Sequence, residues 1–197
     1  MSAIALLAAL LGSGAFVAQA AVVYSGPLDI DIDRFDAPTI SIDLNGGGND
    51  FHFFVDELPD GASQNVEVTG AIPHLILIAN VAENTVIGPD TTGYASSGAL
   101  GFWEESPPST GGPFLATRGF LPIALNTGTP GDYQFGWIDY SVAPDANTAT
   151  IHGWAYNTDV NATILAGQVP EPATAAVAFA LIGLGVAGVR QWRRRQS

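Results

Sequence analysis

The middle of the chain alternates between apolar and polar residues. Leu28, Ile30 and Ile32 are separated by Asp29 and Asp31, and Ile40, Ile42 and Leu44 by Ser41 and Asp43. A period of two puts apolar side chains on one face of a strand and polar ones on the other. Residues 51–55, 66–71, 75–81, 100–103, 120–125, 133–142 and 148–156 read as further strands. Turn clusters divide them, among them Asn45-Gly46-Gly47-Gly48, Pro59-Asp60-Gly61, Pro130-Gly131-Asp132 and Pro144-Asp145. Residues 88–113 are poor in strand signal and read as a long surface loop. No stretch shows an amphipathic helical period of normal length. The pattern predicts an all-β body, an antiparallel β-sandwich or jelly-roll-like fold. Phe135 and Trp137 share a strand parity with Tyr133, and Trp154 and Tyr156 with His152. Both stripes are expected to face the sandwich core.

The two ends break the alternation. Residues 1–20 carry no charged side chain, and an apolar run from Ile4 to Leu11 leads to Ala18 and Ala20. Small residues at these two positions fit a signal-peptidase cut after Ala20, following export through Sec. A buried helix of the body is the alternative, but the segment has no polar face. Residues 173–189 are likewise uncharged, and they would form about 25 Å of helix, at the short end for a membrane span. Arg190, Arg193, Arg194 and Arg195 follow, with Trp192 among them. A basic cluster behind an apolar segment anchors it from the cytoplasmic side, which leaves the body outside. A helix packed on the body would need a polar stripe that this one lacks. Just before the span stands Val169-Pro170-Glu171-Pro172. Two prolines around one residue keep the peptide extended, the form a protease binds. The expected organisation is a signal peptide at 1–20, a body at 21–168 and a sorting segment at 169–197. That segment divides into the motif at 169–172, the transmembrane helix at 173–189 and the basic tail at 190–197.

Val169-Pro170-Glu171-Pro172, the span and the arginine tail together resemble the PEP-CTERM sorting signal of Gram-negative bacteria. The resemblance implies recognition by exosortase, a membrane-embedded cysteine protease. It also implies cleavage near the Pro-Glu-Pro after passage through the inner membrane, then release to the cell surface or the extracellular polysaccharide matrix. The signal covers about the last 29 residues and is an address rather than a chemistry. Residues 133–167 are also similar to a terminal β-hairpin of many PEP-CTERM proteins. The stretch from Ile42 to Phe53 resembles the aspartate- and glycine-rich start of their bodies.

Charge and composition narrow the function. Of the 19 acidic residues, all but Glu171 lie in the body, against two arginines there, Arg34 and Arg118; the chain has no lysine and no cysteine. Disulfides, thiolate catalysis and cysteine metal sites are excluded. So acidic a body repels phosphates, which argues against nucleic acid as a partner.

Candidate chemistry in the body is sparse. Asp43, Asn45 and Asp50 surround three glycines and offer oxygen ligands for Ca²⁺. The loop departs from a Ca²⁺-binding pattern at Gly47 and at Phe54, where an acid is wanted. A plain glycine turn with solubilising acids is the alternative. His52, His74 and His152 are the three histidines, with no H-x-H or HExxH spacing. Ser96 and Ser97 lack the spacing of a nucleophile elbow. The chain is therefore read as a non-enzyme. Trp103, beside a proline-rich loop, is the tryptophan placed to stack on a sugar. The reading is an exported structural or adhesive component. A carbohydrate-binding module, with or without Ca²⁺, and a secreted hydrolase are the alternatives.

Overall fold

A computed structural model describes residues 21–57, 63–105 and 108–170, and these form fourteen strands and no helix. The strands are β1 (Val22–Tyr24), β2 (Ile30–Asp33), β3 (Thr39–Ile42), β4 (Phe51–Glu57), β5 (Gln64–Gly70), β6 (Leu75–Leu77) and β7 (Val86–Ile87). They continue as β8 (Tyr94–Ala95), β9 (Ser97–Glu105), β10 (Pro108–Gly111), β11 (Arg118–Asn126), β12 (Tyr133–Val142), β13 (Thr148–Asn157) and β14 (Ile164–Leu165). The expected signal helix and transmembrane helix lie outside the described residues.

The strands form an all-β, antiparallel body, as the alternation predicts. The larger sheet runs β1-β13-β12-β11-β6-β8, and β2 pairs with the other end of β13. The second sheet runs β10-β9-β5-β4-β3. Their apolar faces meet in one core. Phe53, Val55, Val66, Val68 and Leu100 come from the smaller sheet, and Leu121, Ile123, Ile138, Tyr140 and Ile151 from the larger. The Phe53 and Tyr140 rings lie 5.2 Å apart across it, and Phe114 meets Tyr140 edge-on at 5.6 Å. Such pairs add about 0.5–1.5 kcal/mol each beyond the apolar area they bury.

The larger sheet is covered on its other face too. There Phe135, Trp137, Ala124 and Ala155 pack against Ile87 and Ile164, which belong to the two-stranded β7–β14 ladder. The Phe135–Trp137 stripe was expected on the sandwich core, but it faces this cap instead. Ile138, Tyr140 and Val142 take the core face of β12, so the residues between them must point the other way.

Two more expectations change. Residues 88–113 hold β8, β9 and β10 rather than a long loop. Their strand signal is hidden because β9 is built on small residues. A Cβ at Gly98 would lie 2.5 Å from Ile78, and one at Gly101 3.0 Å from Val142. The strand forms because β5 and β10 pair with its two edges. The second change is at His152, which does not share a face with Trp154 and Tyr156. The register of β12 against β13 shifts between Asp139 and Tyr140, where Gly153 pairs with Asp139 but Ile151 with Tyr140. His152 is the extra residue of a β-bulge, and the strand changes parity there.

Candidate functional site

The glycine-rich acidic loop turns its oxygens inward. Asp43 accepts hydrogen bonds from the Gly46 amide (2.6 Å) and the Gly48 amide (3.2 Å), and Asn45 Oδ1 accepts from Gly47 (2.9 Å). Asp50 is buried; its Oδ2 accepts from the Leu44 amide at 2.7 Å and its Oδ1 lies 3.2 Å from His74 Nε2. The candidate Ca²⁺ ligands are thus brought into one turn, and each already serves a backbone amide of that turn. Among the described residues no cluster of three or more His, Cys, Asp or Glu side chains is gathered as a metal site would need. His74 Nδ1 accepts from the Asn126 amide at 3.1 Å, so His74 ties the loop to β11. His52 contacts Ser41 Oγ at 2.7 Å on the β3–β4 ladder. Trp103, the sugar-stacking candidate, is half-buried and packs against the main core.

The exit of the chain toward the motif is built differently. Ile164 and Ala166 are buried in the outer cluster, and the Ala166 amide donates to Thr85 O at 2.9 Å. The Asn84 amide donates back to Ala166 O at 2.9 Å. Gln168 then closes a turn: its amide donates to Leu165 O at 2.9 Å, and its side chain accepts from the Leu165 amide at 3.0 Å. Gly167 takes φ +79°, a value open to glycine, and a Cβ there would press on Glu83 and Phe120. Past this turn Val169, 46% exposed, and Pro170 stand in solvent. A family model described as the PEP-CTERM protein-sorting motif matches residues 168–195, starting at this turn. The chain carries a PEP-CTERM sorting signal.

No curated protein and no solved structure matches the chain. The PEP-CTERM motif implies an exported protein with exosortase as its processing partner. Of its residues, Gln168, Val169 and Pro170 are described. Glu171, Pro172 and the expected anchor residues Arg190, Trp192, Arg193, Arg194 and Arg195 lie outside the described residues, as do Ala18 and Ala20 of the expected signal-peptidase site. No helix among the described residues is long and apolar enough to cross a membrane.

The body ahead of this sorting signal holds polar groups that spacing alone did not bring together. Arg118 grips Asp139 through two nitrogens, Nε at 2.9 Å and Nη2 at 2.7 Å. That grip raises the Arg118 pKa above its ordinary value, first through the hydrogen bond and then through the Asp139 charge. Arg34 is paired with Glu57, so both arginines of the body face carboxylates. His152 sits on the bulge between Ser141 and Asp29, whose sequence distances gave no sign of a meeting.

Proposed function

We infer that the chain is made as a membrane-held precursor and that its body works outside the cell as a structural or adhesive domain of the surface or matrix. Export through Sec ends with signal peptidase cutting after Ala20. The apolar segment at 173–189 and its arginine tail then hold the precursor in the inner membrane until exosortase cuts near Val169–Pro172. The observation that supports this reading is the position of the exit turn. Every described buried residue of the β7–β14 cap lies before Gln168, and Val169 and Pro170, the last residues described, are exposed. A cut at residue 169 or 170 therefore severs the chain outside the described buried cluster, while the proline-stiffened peptide offers a protease its substrate strand.

At the other end, Ala21 O accepts from the Thr158 amide and hydroxyl, both at 2.9 Å, and Val22 packs on the same outer cluster as Ile164. Both ends of the body are therefore anchored in one place, just inside the two expected cuts. Intact-mass analysis of the protein recovered from the surface and medium of its native host tests the reading. A mass running from Ala21 to a residue between 169 and 172 is expected. A mass that keeps the arginine tail overturns release.

A further inference from the structure

One polar chain on the outer face of the larger sheet has no part in export. Ser141 Oγ lies 2.9 Å from His152 Nε2, and His152 Nδ1 lies 2.8 Å from Asp29 Oδ1. An ionised carboxylate can only accept, so Nδ1 carries the ring proton and donates it to Asp29. The neutral ring then offers its Nε2 lone pair, and the Ser141 hydroxyl donates to it. This is the order of a hydroxyl nucleophile, a general base and a carboxylate that fixes the base's tautomer. Such a set is recognised by geometry and role, and it recurs on unrelated folds in any sequence order.

The fold places each member by a separate device. Ser141 alternates with the core residues Tyr140 and Val142 and so points outward. Counting back by twos from Trp154 and Tyr156, His152 would face inward; the bulge turns it out beside Ser141. Asp29 comes from the β1–β2 connection, which is laced to β13 by the bonds Ser25 N to Trp154 O, Trp154 N to Ser25 Oγ and Leu28 N to His152 O, each 3.0 Å. Asp29 itself takes φ +51°, a left-handed conformation uncommon outside glycine that costs backbone energy and persists where surrounding contacts impose it. Gly153 lets this connection come close, since a Cβ there would stand 2.9 Å from Gly26 O.

A cation comes from the neighbouring strand on the same face. Arg118 is the β11 partner of Ser141, and Asp139 holds its guanidinium by Nε and Nη2. No hydrogen bond engages Nη1 among the described residues. It remains available to a developing negative charge on this face.

We propose that Ser141, His152 and Asp29 form an acyl-transfer site that hydrolyses short acyl esters of uncharged alcohols, with Arg118 facing the oxyanion. The Ser141 oxygen bonds to the ester carbonyl carbon while its proton passes to His152 Nε2. The carbonyl oxygen takes the negative charge beside Arg118. The bond from carbon to the alcohol oxygen then breaks, the Nε2 proton moves to that oxygen, and the alcohol leaves. Water attacks the resulting Ser141 ester and gives a proton to Nε2. Ser141 departs and regains that proton, and a carboxylic acid is released. Asp31 and Asp139 on the same face, and the acidic body around them, repel anionic esters and leave uncharged ones as the class admitted. Asp31 accepts from Thr150 Oγ1 at 2.8 Å, which keeps it off the histidine. The site goes beyond the exported structural role and does not depend on it.

The test uses the full chain in detergent micelles, a fluorophosphonate probe and p-nitrophenyl acetate. One probe per chain is expected, mapped to Ser141 by peptide mass, with ester turnover lost in Ser141→Ala at an unchanged melting temperature. His152→Gln is expected to slow labelling by about 100-fold or more, the ordinary worth of a general base. Asp29→Asn is expected to slow it while the fold stays intact. A natively folded wild-type chain that leaves Ser141 unlabelled overturns the proposal. So does labelling that His152→Gln does not slow.

Discussion

Tyr140 carries the clearest buried polar cost in the body. Its ring fills the centre of the main core, and its hydroxyl has no hydrogen-bond partner among the described residues. Burial alone pushes its pKa well above the ordinary 10.0, because the charged phenolate finds no solvation there. The sign of the pH effect follows. The folded state holds the proton more tightly than the unfolded one, so this group's stabilisation is complete below about pH 10 and is lost as pH rises above it. Alkaline titration should show Tyr140, together with Tyr94, which burial also pushes well up, ionising only with loss of the β-sheet circular dichroism signal. Tyr140→Phe should remove one tyrosine from that coupled step and leave the protein about 1 kcal/mol more stable to urea at neutral pH, since a buried unpaired hydroxyl is removed. A stability loss would mean the hydroxyl has a partner in solution. At this scale the sequence was a partial guide. His152 was legible as a strand residue, but its direction was not, because one extra residue at the bulge reverses the parity on which the reading depends. Asp29 reaches it across 123 positions of chain, a distance no local pattern encodes.

Among the elements, the long ones were easiest to read. β12 has the bounds that its alternation predicts, Tyr133–Val142, and β13 extends one residue past the expectation. Both are rich in aromatic and β-branched residues, which fit a pleated, packed surface. β9 was legible only at Leu100–Trp103, since glycine, serine and alanine carry little strand preference and tertiary pairing decided its length. β7 and β14 have two residues each and no period to detect. Yet the small cap they form closes the second apolar face of the larger sheet. Ile164 is its buried centre, with Ile87 against it. Ile164→Ala should cost about 2–5 kcal/mol, the usual range for truncating a buried isoleucine, and should bring Trp137 fluorescence toward that of a solvated indole. Val169→Ala, just past the exit turn, should leave the urea midpoint unchanged. Equal effects at the two positions would mean that the buried part of the chain does not stop where the turn does.

At the scale of the whole molecule, the destination was written more plainly than the activity. A sorting signal is read by other proteins from a short contiguous stretch, so composition and order display it directly. A site assembled from β2's approach, a bulge and the far end of β12 is displayed only once the sheets are paired. The layering has one more result. β12 lies between β11 and β13 within its sheet, the main core covers one face and the β7–β14 cap reaches the other. Its amides can meet solvent only when both neighbours and both coverings let go together. In deuterium labelling, β12 should therefore be the last strand to exchange, far behind the edge strands β3 and β10, and at a rate equal to that of global opening. A molecule whose centre opens only all at once has a lifetime fixed by a single kinetic barrier, so its endurance outside the cell is a matter of how rarely it unfolds.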